Sequence, residues 1–218
     1  MSLSTSGTTK IAVFYHVAKM GNWEEVDKEM MATIKESGLK IDVFVRNECE
    51  DIGLYEFPTL EMMREFSIRN PHYYCLYIHT KGVSQPTNHQ IADWRRCMMY
   101  FLVEKYEMCL HELRRGADTC SINYIQSPYP HYQGNFFWAK ASYMATLPPI
   151  KDAPQPHSRN INFTERHKCE MWILMKTKRI GNLYHHKINP YLENNPRSNY
   201  EITCADSEYT RRNTTTTL

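Results

Sequence analysis

Hydrophobic and polar positions alternate along this chain in blocks whose period changes, and the blocks outline a layered α/β fold. Ile11 to Tyr15 is a short unbroken apolar run, the pattern of a strand buried on both faces. Asn22 then stands three residues ahead of Glu25, the spacing of a helix N-cap. Trp23, Val26, Met30 and Ile34 recur at helical intervals until Ser37-Gly38 ends the run. Ile41, Val43 and Val45, set among Asp42 and Arg46, predict a second strand and close a right-handed βαβ unit.

Thr59 to Arg69 reads as a second helix stopped by Asn70-Pro71, and Tyr73 to Ile78 as a third strand that ends abruptly in His79-Thr80-Lys81-Gly82. A long helix is predicted from His89 to Arg115, with a basic last turn before Gly116. Thr119 to Tyr124 and Asn135 to Ala139 read as strands around the loop SPYPHYQG, and Lys140 to Thr146 as a short helix. Residues 148–160 carry four prolines and form a loop. Asn162 and Glu165 are spaced as a capping box for a helix reaching Lys178, and 182–187 is a last strand. The order of these elements predicts a single α/β domain over 10–193, a sandwich with a mixed, mostly parallel central sheet. It lies between a flexible N-terminus, 1–9, and a polar tail, 194–218.

Composition narrows the function more than the fold. A net charge of +2 in 218 residues offers no polyanion-binding surface, so nucleic acid is not an expected partner. No apolar run approaches the length of a membrane span, and MSLSTSGTTK lacks the order of a signal peptide. A soluble, cytoplasmic protein is therefore expected, in a host's cytoplasm if its source is viral. The seven cysteines are scattered without a Cys-x-x-Cys pair, which argues for reduced thiols rather than a disulfide framework or a zinc ribbon.

Sheets of this kind bind ligands beyond the carboxyl ends of their strands. No Gly-x-Gly-x-x-Gly or P-loop motif occurs there, nor a Gly-x-Ser-x-Gly or His-Glu-x-x-His signature. What does occur is a cation, a hydroxyl and a flexible backbone delivered together by HTKG. Lys81 supplies a point charge, Thr80 a hydrogen bond and Gly82 close backbone approach, a set suited to a phosphate; the alternative is a polar turn with a solvated lysine. In GNFFWA, Gly134 and Asn135 open a packed strand. Asn135 could hydrogen-bond sugar hydroxyls and Trp138 could offer a face to a pyranose, although at least two of Phe136, Phe137 and Trp138 should be core. Tyr129, His131 and Tyr132 are better placed as exposed binding aromatics. Glu170 lies in the apolar stretch CEMWIL, facing either a site or, at helical spacing, Arg166. In His185-His186-Lys187 one histidine can be a metal ligand and the lysine a diphosphate contact; a bare surface strand is the alternative.

YIHTKG at 77–82 and GNFFWA at 134–139 together resemble the motifs of small glycosyltransferases of the GT-A type, a group found in bacteria and in large algal viruses that glycosylate their own capsids. The similarity spans roughly residues 10–190. It implies transfer of a sugar from a nucleotide diphosphate donor, most often a UDP-sugar, to a glycan or glycoprotein hydroxyl. Tyr15, His16 and Val17 would cradle the nucleoside, Thr80, Lys81, Gly82 and Lys187 the diphosphate, and Gly134, Asn135, Trp138 and His131 would border the donor sugar or acceptor. Glu170 would be the general base of an inverting reaction. The Asp-x-Asp motif with which such enzymes hold Mn²⁺ or Mg²⁺ is missing, so Lys81 would replace the ion's charge or His79 and His186 would bind an ion weakly. A catalytically silent nucleotide- or sugar-binding module is the rival, motivated by that missing motif. A histidine-based nucleotidyltransferase or hydrolase is disfavoured by the lack of paired ligand spacing.

Overall fold

The structure is a computed structural model that describes residues 9–154, 163–186 and 188–201. Its centre is a six-stranded sheet in the order β2-β1-β3-β7-β4-β8. The strands are β1 (Lys10–Ala18), β2 (Val43–Cys49), β3 (Tyr73–His79), β4 (Thr119–Ser121), β7 (Phe137–Lys140) and β8 (Ile180–Asn182). β1 pairs in parallel with both β2 and β3, and β4 in parallel with β8, while β7 runs antiparallel between β3 and β4. A separate two-stranded ribbon, β5 (Tyr124–Ile125) and β6 (His131–Tyr132), stands beside it. This is the single-domain, mixed and mostly parallel α/β architecture that the periodicity predicts.

Each face of the sheet carries its own apolar core. On one, α1 (Trp23–Glu36), α3 (His89–Met99) and α4 (Tyr106–Arg114) bury Val13, Tyr15 and Val17 with Met30, Met98 and Leu110. On the other, α2 (Phe57–Arg69), α5 (Ala141–Met144) and α6 (Arg166–Met171) bury Ala12 and Phe14 with Leu60, Met144 and Trp172. Alternation along β1 decides which residue goes where, so Tyr15 and Val17 face one core while His16 faces the other side of the sheet.

Several elements differ from their sequence outline for local reasons. The predicted helix 89–115 is interrupted by a π-helical segment, Tyr100–Glu104, whose widened turn frees backbone carbonyls. The Trp138 indole N–H donates to the Leu102 carbonyl at 2.8 Å and satisfies one of them. The strand 119–124 is cut where Asn123 takes φ +53°. Helix α2 begins at Phe57, two residues early, because Pro58 fits the first turn. Asn22 makes no side-chain cap. The helix predicted to reach Lys178 ends in a 3₁₀ turn at Trp172–Leu174, and its capping residue Asn162 lies outside the described residues. The last strand is Ile180–Asn182 rather than 182–187.

Past the expected boundary at 193 the chain stays packed to Glu201. Asn195 and Tyr200 are buried, Tyr200 against Tyr100 and Phe101, and the Arg197 guanidinium binds both Glu104 oxygens at 3.0 and 2.7 Å. All six described cysteines are buried and unpaired. No helix among the described residues is long and apolar enough to cross a membrane.

Candidate functional site

The chain leaves β1 toward β2 on one side and reaches β3 on the other, so the crevice between the carboxyl ends of β1 and β3 is the sheet's switch point. Thr80 ties the two ends together: its N–H donates to the His16 carbonyl at 3.1 Å and its hydroxyl accepts from the Ala18 N–H at 2.9 Å. A cleft of about 330 Å³ opens above this tie, lined by His16, Glu56, His79, Lys81, Arg166 and Tyr191 among others.

His16 and His79 are register partners on β1 and β3 and share the face toward α2. The buried Thr59 hydroxyl accepts from the Asn47 amide at 2.9 Å and lies 2.8 Å from His16 Nδ1. With no other acceptor recorded for it among the described residues, its proton goes to His16 Nδ1, leaving His16 Nε2 protonated. Burial lowers the His16 imidazole to about 4. His79 Nε2–H donates to the Gly134 carbonyl at 3.1 Å. Burial first, then the Lys81 charge, hold its imidazole well below the ordinary histidine range, so His79 Nδ1 is an unprotonated acceptor. Both histidines are neutral at pH 7.

Lys81 lies over the Trp94 ring, Nζ 4.3 Å from its centroid. Desolvation lowers its ammonium to about 8 against the opposing pull of Glu170 and Glu56, and Arg166 adds to the lowering. The backbone beneath it is clamped, because the buried Arg95 donates to the Lys81 carbonyl at 2.8 Å and to Glu29 at 3.0 Å. Gly82 follows at φ +92°, where a Cβ would sit 2.7 Å from Ile91 Cγ2, so only glycine allows this turn. Two cations, Lys81 and Arg166, thus meet two carboxylates, Glu56 and Glu170, in one constellation.

A second group of polar atoms lies beside it at the ends of β4, β7 and β8. Gly134, at φ +94°, lets the chain pass so close that a Cβ would be 2.5 Å from Met98 Sδ and 3.0 Å from Trp94 Cζ2. Asn123 and Asn135 both hold positive φ, 53° and 56°, a conformation uncommon outside glycine. Asn123 Oδ1 accepts from the His186 backbone N–H at 2.9 Å, and the Asn123 carbonyl from Gln133. Yet Asn123 Nδ2, both amide atoms of Asn135, the Trp94 indole nitrogen and both ring nitrogens of His186 are buried without a hydrogen-bond partner. Buried polar atoms of this kind are costly and call for a ligand or water.

The structure therefore brings together His16, His79, Thr80, Lys81 and Gly82 in the cleft, and Gly134, Asn135 and His186 beside it. Others are elsewhere. Tyr15 and Val17 face the core, the Tyr15 hydroxyl ending 3.6 Å from Met30 Sδ, so neither side chain meets a cleft ligand. Trp138 is fully buried as the cap of the π-helical carbonyl and cannot stack on a pyranose. Tyr129 and Tyr132 are buried rather than exposed, and half-buried His131 donates from Nδ1 to the Tyr129 carbonyl at 2.8 Å. Lys187 lies outside the described residues. Glu170 meets both of its sequence alternatives partway: it is near the cleft cations, but its Oε2 accepts from the Tyr129 hydroxyl at 2.8 Å and its Oε1 is 3.6 Å from Arg166. His79 and His186 do not join a metal set, for no group of three His, Cys, Asp or Glu able to hold an ion forms among the described residues.

Glu56, Asn123 and Tyr191 escaped the sequence reading. The first-turn Pro58 could have marked Glu56 as a helix-terminal residue. Tyr191 falls beyond the last regular element, and nothing local distinguishes Asn123. The family model described as "Domain of unknown function (DUF8361)" matches residues 2–186. No curated protein matches the chain.

Proposed function

We propose that this chain, which belongs to the DUF8361 family, transfers a sugar from a nucleoside diphosphate donor, UDP-linked, to a hydroxyl of a glycan or glycoprotein. The observation that carries the reading is a charged cleft with a group of buried, unpartnered neutral polar atoms beside it at one sheet edge. The cleft offers Lys81, Arg166 and the Gly82 turn to an anion. The adjoining group, Asn123, Asn135, Trp94 and His186, offers unpartnered donors and acceptors with no formal charge, which suits a polyhydroxyl group and not a phosphate. A nucleotide sugar has that same order of charged and neutral parts. The UDP moiety comes from the resemblance of the HTKG and GNFFWA segments.

In such a transfer the principal demand is stabilising the departing diphosphate, which falls here to Lys81 and Arg166, with Thr80 holding the strand ends in place. A bound Mn²⁺ or Mg²⁺ would add charge at the diphosphate in many enzymes of this fold. The described residues do not assemble a group of three His, Cys, Asp or Glu to hold one. That same lack favours the second reading, a binding module without turnover, which release of UDP from UDP-glucose or UDP-galactose would exclude.

The direct test is a thermal-shift comparison of UDP, GDP and CMP, with and without Mn²⁺. At a hundred times its Kd a ligand adds about 2.7 kcal/mol to stability, and UDP is expected to give the largest shift. Equal shifts for all three, or none, would count against the assignment.

A further inference from the structure

We propose that Glu56 takes the proton of the acceptor hydroxyl, and that Tyr55 and Tyr191 at the cleft mouth form the subsite for a glycan acceptor. The inference rests on the glycosyl-transfer reading above and replaces Glu170 in the base role.

Glu56 sits immediately before α2 and lines the cleft with His16, His79, Lys81 and Arg166. Among the described residues its carboxyl makes no ion pair within 4 Å, whereas Glu170 has one oxygen on Tyr129 and the other toward Arg166 and does not line the cleft. A base must be within reach of the proton it removes, and Glu56 lines the cleft where Glu170 does not. Among the described residues its carboxyl is met only by its own backbone N–H and the weakly donating Cys169 thiol, not by a counterion.

The groups facing Glu56 are Arg166, Glu170 and the Cys169 thiol from α6, Lys81 from the loop after β3, and Tyr77 from β3. Burial raises its carboxyl above the ordinary range, Arg166 and Lys81 pull it down, and Glu170 pushes it up. The resulting base is stronger than a solvated glutamate. Lys81 and Arg166 would turn toward the diphosphate rather than hold Glu56 as a fixed counterion.

The mouth supplies the acceptor side. Tyr55 and Tyr191 are large aromatic residues, 38% and 45% exposed, and both line the cleft. Tyr55 holds φ +48°, a strained conformation for a non-glycine residue, and it adjoins Glu56 in the chain. Tyr191 is anchored edge-on to Trp94 at 5.2 Å between centroids. Two exposed aromatic rings lining the same cleft as a carboxylate suit a pyranose, with its apolar C–H face on a ring and a hydroxyl toward the base. In the single displacement, the acceptor O–H bond breaks with its proton passing to a Glu56 oxygen. The acceptor oxygen then bonds to the sugar's anomeric carbon as the bond to the diphosphate oxygen breaks, its electron pair leaving with UDP.

The test measures UDP release from UDP-glucose and UDP-galactose, with and without methyl glucosides as acceptors, alongside UDP affinity and melting temperature. Glu56→Gln should lower turnover by about 10²- to 10⁴-fold while UDP affinity stays within about threefold, and it should remove the acid limb of the pH profile, in which the rate rises as Glu56 deprotonates. Glu170→Gln should retain that limb, whatever it does to turnover through its neighbours Lys81 and Arg166. Should Glu56→Gln fold poorly, Glu56→Ala with added formate serves instead, rescue of turnover by the small carboxylate being expected. Tyr55→Ala should raise the acceptor KM. Turnover by Glu56→Gln at near the wild-type rate, absence of formate rescue, or an unchanged acceptor KM in Tyr55→Ala overturns the inference and leaves the transferase reading standing. Wild-type protein that binds UDP without releasing it from either donor overturns the inference in favour of a binding module, and wild-type protein that binds no nucleotide overturns both.

Discussion

Over β1 and β3, the polar groups at the sheet's carboxyl edge are charged or titratable, and most are already engaged: Lys81 with the Trp94 ring, His16 with Thr59, His79 with Gly134, Glu170 with Tyr129. Over β4, β7 and β8 they are neutral amides, an indole and an imidazole, held at strained or crowded backbone positions and left without partners. In the first region most of these groups already have partners before any ligand arrives. In the second, six buried polar atoms have no partner among the described residues. On the proposed reading, the ionic groups of a donor would meet the first end of this edge and its hydroxyls the second.

Acid should weigh most on the first region, which holds two buried histidines, while burial lowers the one imidazole of the second, His186, as well. The folded pKa of His16 is depressed, so its contribution to stability is fully present above the unfolded value near 6.5 and is lost as pH falls through about 4. The loss reaches about 3 kcal/mol for His16, and His79 acts in the same direction. Urea unfolding at pH 7 and pH 4 measures this, and His16→Gln should flatten the slope. An unchanged slope would mean that His16 is not held neutral by its burial.

Lys81→Ala addresses the charged end alone. Loss of a charge-assisted contact should weaken UDP by about tenfold to a hundredfold and leave uridine nearly unaffected. Equal weakening of both ligands would move Lys81 away from the phosphates. Asn135→Ala addresses the neutral end, with the smallest expected effect: about three- to tenfold weaker binding of UDP-glucose or UDP-galactose, with UDP itself unchanged. Calorimetric titration of both variants against UDP and the two donors would show whether the two groups act separately, and a loss of UDP binding in Asn135→Ala would merge them.

Much of the charged end was legible from the sequence because it follows one rule: an apolar strand ending in polar residues delivers them to a binding edge. HTKG obeyed it, and so did His16. GNFFWA obeyed it only in its first two residues, Gly134 and Asn135. Trp138 was misread because its indole looks the same in sequence whether it meets a sugar or a carbonyl, and the carbonyl exists only because the helix widens at Tyr100–Glu104. Tyr15 and Val17 were assigned as a block with His16, although strand alternation sends neighbours to opposite faces. Glu56, Asn123 and Tyr191 become neighbours of the site only through tertiary packing. Their distances along the chain, from Glu56 to Tyr191, carry no local signal.

The packing of residues 194–201 also bears on how the protein is made. Tyr100 and Phe101 lie in a helical stretch buried on every side, and part of their cover is Tyr200. A ribosome adding 5–20 residues per second needs on the order of 5 to 20 s to travel from one to the other. During that interval the two large aromatic rings lack their final neighbour, which is not yet synthesised. A chain stalled shortly before Tyr200 would keep them uncovered and become a client for chaperones and a seed for aggregation.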